Sequence, residues 1–142
     1  MKPRFCLVLL ALSMVAVPAA HAASPQRATL GTFTGRWIGH RRGLVIRHGG
    51  HAAESIYSGC CDPVINLTFR LLRPRGTTTN AAVTATVTGV WVRDRSAFTK
   101  AYPAPHVGEV RVLRLRNGVL TETLTGANYC DNEAENAGKC GA

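Results

Sequence analysis

Two charged residues share the apolar face of a hairpin that the sequence predicts near the C-terminus. Asn117-Gly118 is typical of a two-residue turn, and such a turn places Leu113 opposite Glu122. Arg111 then falls on the same face as Glu122, where two charges need each other or another partner. The face is otherwise formed by leucines: Leu113, Leu115, Leu120 and Leu124. The pattern predicts an Arg111–Glu122 ion pair, and a polar pocket that also includes a tyrosine such as Tyr57 is the alternative.

Three histidines are the candidate metal ligands. If Gly49-Gly50 closes a two-residue turn, His48 faces His51 across the hairpin, with His40 nearby. Three imidazoles can hold a metal ion. However, histidines at a hairpin tip are usually solvated, and no carboxylate is spaced to act as a fourth ligand. We therefore predict no metal site and no cofactor.

Motifs for nucleophilic or phosphate chemistry are absent from the sequence. There is no Gly-x-Ser-x-Gly elbow and no phosphate-cradling glycine loop, so no catalytic residue is assigned. Glu109 and Glu122 could form a glycosidase-type carboxylate pair. Glu122 is better explained as the ion-pair partner of Arg111. A binding protein is thus a simpler interpretation than an enzyme.

The charge of the chain points to acidic partners without naming one. Lysine and arginine number 17 against 8 acidic residues, a formal net charge of +9. A basic surface attracts acidic envelope or host polymers. Nucleic-acid binding would need basic residues interleaved with aromatic ones, and Trp91 with Arg93 and Arg95 is the one such cluster. Trp91 is more simply explained as a core or barrel-end residue, so no specific nucleic acid is expected.

The N-terminus has the pattern of a secretory signal peptide. Lys2 and Arg4 precede an apolar run, and Ala20-His21-Ala22 fits a small-x-small cleavage site. The apolar run is about 13 residues long, short of the ~20 that a spanning helix needs. We predict a leader over 1–22, a flexible lead-in over 23–33, a single domain over 34–142, and a secreted or envelope location without a transmembrane segment in the mature chain.

Four cysteines follow the predicted leader: Cys60, Cys61, Cys130 and Cys140. An even number in a small exported protein indicates disulfides. A vicinal Cys60–Cys61 bond needs distorted geometry, so two cross-links from this pair to the C-terminal cysteines are preferred. A zinc site is disfavoured by the adjacent spacing of Cys60 and Cys61.

Alternating residues and turn signals predict an all-β fold of about seven strands. The predicted strands span 35–41, 43–48, 51–58, 64–72, 81–93, 109–116 and 119–125. Their connections are mostly local hairpins, which favours an antiparallel meander barrel, with a β-sandwich as the alternative.

The first strand carries a short motif that resembles a known family. Gly35-x-Trp37 looks like the Gly-x-Trp signature of lipocalin and wider calycin barrels. The resemblance implies a meander barrel that takes a small apolar ligand or meets a protein partner. It also implies that an arginine from a late strand lies over Trp37; Arg111, held by Glu122, is the candidate. The whole chain is similar to small exported actinobacterial proteins.

The sequence therefore predicts an exported, non-enzymatic binding or interaction protein. Its partner is a small apolar ligand or an acidic envelope or host component. The alternative is a small barrel enzyme with a polar pocket around Glu122 and Arg111. Trp37, Arg111 and Glu122 are the residues predicted to plug one barrel end or to meet the ligand.

Overall fold

A computed structural model describes residues 24–59, 61–101 and 103–140 as a closed antiparallel barrel. Each strand pairs with the next along the chain, and the last returns to the first through Ile38 and Cys130. The eight strands are β1 (Gly35–Gly39), β2 (Arg42–Ile46), β3 (His51–Tyr57), β4 (Pro63–Gly76), β5 (Asn80–Val92), β6 (Val110–Arg116), β7 (Val119–Glu122) and β8 (Asn128–Cys130). The predicted meander barrel is confirmed.

Short helices precede, connect or follow the strands of the barrel. Three are 3₁₀ helices, at Leu30–Phe33, His48–Gly50 and Arg95–Ala97, and α1 covers Asn132–Asn136. No helix among the described residues is long and apolar enough to cross a membrane.

The hairpin between β6 and β7 forms with the predicted register. Asn117 and Gly118 both have positive φ, 49° and 79°, as a two-residue turn of this kind requires. Leu113 lies opposite Glu122 in the resulting ladder. Because side chains alternate across a strand, this register turns Arg111 and Glu122 into the barrel.

The connection between β2 and β3 differs from the prediction. Gly49-Gly50 belongs to the 3₁₀ helix His48–Gly50, and the backbone N–H of Arg47 donates to the carbonyl of His51 at 2.8 Å. His48 and His51 therefore do not face each other across a two-residue turn.

The C-terminal strand and helix were not predicted. β8 has three residues and α1 has five, too few for a periodic pattern. β4 also continues to Gly76, past a register shift between Leu72 and Arg75, where a loop was expected. A bulge keeps the ladder going through Pro74, a residue that is poorly tolerated in a regular strand.

One end of the barrel, here named the apolar end, is closed by hydrophobic side chains. They are Phe33, Ile46, Leu71 and Leu115, each at most 5% exposed. Phe33 ends the 3₁₀ helix Leu30–Phe33, which packs against β4. The segment predicted as a flexible lead-in thus covers this end from Ala28 onward, because burying Ala28 and Phe33 offsets the cost of ordering it. The predicted leader lies outside the described residues.

The disulfide prediction is wrong in its pairing. Cys130 bonds to Cys140, closing a local loop around α1. Neither cysteine is then available to Cys60 or Cys61, so the predicted cross-links to that pair do not form. One disulfide, Cys130–Cys140, thus joins two described residues, in place of the two predicted long-range cross-links. Cys60 lies outside the described residues.

Candidate functional site

The barrel end opposite Phe33 carries a layer of charged side chains, here named the charged end. It consists of Arg42 on β2, Glu54 on β3, Arg111 on β6 and Glu122 on β7, together with Glu109 just before β6. Glu54, Arg111 and Glu122 are 2%, 5% and 2% exposed, so they are core residues. Charges buried this deeply must be paired and hydrogen-bonded.

Arg111 lies at the centre of this layer. Its Nε donates to Oε1 of Glu109 at 2.7 Å, and its Nη2 forms an ion pair with the same oxygen at 2.6 Å. Its Nη1 is 3.6 Å from Oε2 of Glu122 and 3.9 Å from Oε2 of Glu54. The predicted Arg111–Glu122 pair is confirmed. All three nitrogens of the Arg111 guanidinium are therefore already engaged by carboxylates.

The aromatic partner of Arg111 is Phe69 rather than Trp37. The guanidinium carbon lies 5.6 Å from the centre of the Phe69 ring. Trp37 is buried at 5% exposure, and its indole N–H donates to the carbonyl of Phe33 at 2.8 Å. Trp37 is thus tied to the apolar end, while Arg111 belongs to the charged end, which is why the expected contact does not form.

Glu54 and Tyr129 form a buried pair beneath Arg42. The Tyr129 hydroxyl donates to Oε1 of Glu54 at 2.5 Å, and Nη1 of Arg42 lies 3.3 Å from the same oxygen. Burial raises the pKa of Glu54, although Tyr129, Arg42 and Arg111 each act to lower it. Burial, followed by the Glu54 charge, likewise raises the pKa of Tyr129. The phenol is therefore a hydrogen-bond donor at neutral pH.

Arg42 keeps its charge in this setting. Burial acts to lower its pKa, yet the interactions with Tyr129 and Glu54 outweigh burial and raise the pKa. Its side chain is 23% exposed, far more than that of Arg111. Arg42 is thus the cation through which the layer meets solvent.

Glu122 is held by the turn that follows β7. Its Oε1 accepts the backbone N–H of Leu124 at 2.5 Å, and its Oε2 accepts the backbone N–H and hydroxyl of Thr125 at 3.1 and 2.5 Å. Because β7 ends at Glu122, Leu124 leaves the predicted leucine face and is 61% exposed. The expectation that Leu124 is buried was wrong.

The barrel interior below the charged layer is filled. The void bounded by Glu54, Glu122, Tyr129 and the neighbouring apolar side chains measures about 10 Å³, which is at the lower limit for one water molecule. No ligand fits there without moving the core.

A larger pocket lies above the charged layer. It measures about 610 Å³, within the range of small-molecule sites. Its walls are mainly apolar, and its polar lining comes from Arg42, Glu109, Arg111 and Thr125. The apolar lining residues are Ile56, Ile65, Leu67, Phe98, Ala101, Pro103, Pro105 and Leu124. The connection between β5 and β6 supplies one wall through Phe98 and the two prolines.

The histidines and Trp91 lie elsewhere. His40 is in the β1–β2 turn and His48 follows the opposite end of β2, while His51 contacts Arg70. Among the described residues no group of three or more histidine, cysteine, aspartate or glutamate side chains could hold a metal ion. Trp91 is 47% exposed on the outside of β5, contrary to the expectation of a core or barrel-end residue. Tyr57 lies at the end of β3 and does not line the pocket.

Three residues of the network, Arg42, Glu54 and Tyr129, were not predicted from the sequence. The sequence did contain a signal for Glu54. It lies two residues from Ala52 and two from Ile56 along β3, and residues with this spacing share one face of a strand. Tyr129 could not be placed without β8. The predicted pair of Arg111 and Glu122 therefore represents part of a larger network.

Comparison with known proteins returned no match to a protein-family model, to a curated protein or to a solved structure.

Proposed function

We propose that this protein binds a small, mainly apolar molecule in the pocket above its charged layer. The observation that carries the proposal is the 610 Å³ pocket, whose lining is mostly aliphatic and aromatic with a few polar groups on one side. Binding pockets for small molecules have this composition, because apolar walls supply affinity and a few polar groups fix orientation. The Gly35-x-Trp37 resemblance to lipocalin-like barrels supports the same function.

Binding is better supported than catalysis. An enzyme built on Glu122 and Arg111 would need Glu122 to reach its substrate, but Glu122 does not line the pocket and accepts three hydrogen bonds from Leu124 and Thr125. Arg111 does line the pocket, with its nitrogens occupied by carboxylates. The polar layer is therefore arranged as a structural floor, and general acid–base work would require it to rearrange.

We also propose that the protein works outside the cytoplasm. The apolar run and cleavage pattern before Ala23 support export. The Cys130–Cys140 disulfide is compatible with an oxidising compartment.

The binding proposal is tested with a neutral apolar dye such as Nile red, followed by fluorescence. Leu124→Glu places a carboxylate at the pocket wall, and a charge that must be desolvated on binding should weaken affinity at least about tenfold. Leu72→Glu is the matched control. Leu72 is also an exposed leucine, at 46% against 61%, but it lies outside the pocket on β4.

The expected result is dye binding by the parent protein and by Leu72→Glu, with a marked loss in Leu124→Glu. No binding by the parent protein would contradict the proposal. Equal loss in both leucine variants would place the dye on the outer surface and would also contradict it.

A further inference from the structure

The polar groups that line the pocket differ in how many donors they have left. In Arg111, Nε and Nη2 contact Glu109, and Nη1 forms ion pairs with Glu54 and Glu122. Both contacts with Glu109 are to its Oε1. The Arg111 nitrogens are therefore all engaged, and an anionic ligand gains little by competing for them.

Arg42 is the exception. Every hydrogen bond and ion pair that its guanidinium forms with the described residues uses Nη1, toward Glu54 and Tyr129. Guanidinium carries five N–H donors in a planar fork. The Nε and Nη2 edge of Arg42 is therefore left over in a side chain that lines the pocket.

The side chains that line the pocket include two cations, Arg42 and Arg111, and one carboxylate, Glu109. Glu54 and Glu122 lie below the floor and do not line it, so a ligand meets Arg42 and Arg111 against Glu109 alone. The chain as a whole carries a formal net charge of +9, which favours the approach of anions. A cationic head group has no such advantage here.

We propose that the ligand is an amphipathic carboxylate, with its head on the Nε–Nη2 edge of Arg42 and its apolar body against Ile56, Ile65 and Leu67. A carboxylate matches that edge because two parallel N–H groups can donate to its two oxygens. This inference rests on the proposed binding function and adds the chemical class of the ligand.

Three probes that share one alkyl chain separate the inference from the function it rests on. They are dodecanoate, dodecan-1-ol and dodecylamine, each titrated calorimetrically at pH 8 below its solubility limit or micelle-forming concentration. We expect dodecanoate to bind at least about tenfold more tightly than the alcohol, as a charge-assisted bidentate contact allows. We expect dodecylamine to bind most weakly.

Arg42→Gln should bring the affinity ratio of dodecanoate to dodecan-1-ol close to one. Arg42→Lys keeps the charge without the fork and should give an intermediate ratio. Thermal melting checks that both variants fold. If either variant fails to fold, the ratio of dodecanoate affinity to dodecan-1-ol affinity in the parent protein tests the carboxylate inference.

Equal affinity for acid and alcohol, or tightest binding of the amine, would overturn the carboxylate inference and leave apolar binding intact. An unchanged ratio in folded Arg42→Gln would also overturn it. Binding of none of the three probes would overturn both the inference and the proposed function.

Discussion

The two ends of this barrel are closed in different ways. At the apolar end, Phe33 and Leu71 are fully buried, and Trp37 donates to the Phe33 carbonyl. At the charged end, Arg111 and Glu109 line the floor of an open pocket, and Glu54 and Glu122 are buried beneath that floor. Close-packed apolar side chains leave no space for a ligand at the apolar end. The charged side chains at the other end leave a surface that a polar group of a ligand can contact. We therefore propose that the apolar end serves mainly stability and that the charged end serves ligand recognition.

Truncating Trp37, which is hydrogen-bonded to the apolar end, should have the largest effect on stability. Trp37→Ala deletes a side chain that is 5% exposed together with its hydrogen bond to Phe33. We expect the free energy of unfolding to fall by about 3–5 kcal/mol, the usual cost of truncating a buried aromatic residue. Trp91→Ala is the control: it is 47% exposed, so its cost should stay below about 1 kcal/mol. Similar losses in the two variants, measured in denaturant, would contradict the assignment.

Breaking the charged floor should cost somewhat less. Arg111→Met leaves Glu54 and Glu122 buried without their shared cation. We expect a loss of about 3 kcal/mol, at the lower end of the range for broken buried pairs, since the pocket lets water reach this end. Adding Glu122→Gln should restore part of the loss because it removes one uncompensated carboxylate. A double variant less stable than Arg111→Met, by denaturant unfolding, would show that Glu122 is held without Arg111.

The C-terminal loop that contains α1 packs beside the β6–β7 turn, and its disulfide should contribute less again. Replacing Cys130 and Cys140 together by serine opens a loop with a sequence separation of 10 residues. The chain-entropy model gives a loss of about 2–3 kcal/mol for a loop of this size. Peptide mapping without reductant should first recover a Cys130–Cys140 peptide. Recovery of either cysteine linked to Cys61 would show that the described pairing is wrong.

The smallest effect concerns the proton on Glu54. Burial raises the pKa of Glu54 in the folded protein, so the folded state holds this proton at a higher pH than the unfolded chain. This stabilising contribution is complete below the unfolded pKa of ~4.3 and is lost as the pH rises through the raised pKa. Glu54→Gln keeps an acceptor for Tyr129 and does not titrate. The stability of the parent protein relative to this variant should therefore fall as the pH rises from the unfolded pKa through the raised folded pKa.

Denaturant unfolding at several pH values measures that difference, and taking it against Glu54→Gln cancels the titration of the exposed carboxylates. A difference that stays flat, or that grows with pH, would mean that burial does not dominate at Glu54.

The sequence predicted the apolar end less well than the charged pair. Alternation along β6 and β7 and the Asn117-Gly118 turn placed Arg111 and Glu122 correctly, because a two-residue turn fixes register. The packing of Phe33 was missed, since the segment before β1 shows no period and its order comes from tertiary burial.

The remainder of the site depends on contacts between distant parts of the chain. Glu54 and Tyr129 are 75 residues apart, and they meet only because β8 closes the barrel against β1. Local pattern cannot show such a contact. The same limit applies to the aromatic partner of Arg111, which the family resemblance placed at Trp37 and which the structure places at Phe69.

The most direct test of the difference between the two ends uses the four isoleucines of the chain. Ile56 and Ile65 line the pocket, Ile46 is buried at the apolar end, and Ile38 is partly exposed on the outside of β1. Isoleucine methyl NMR spectra are recorded during a titration with dodecanoate or dodecan-1-ol, whichever of the two binds more tightly. We expect the Ile56 and Ile65 signals to shift and those of Ile46 and Ile38 to stay in place. A shift confined to Ile46 or Ile38, or no shift at all, would contradict the assignment of recognition to the charged end.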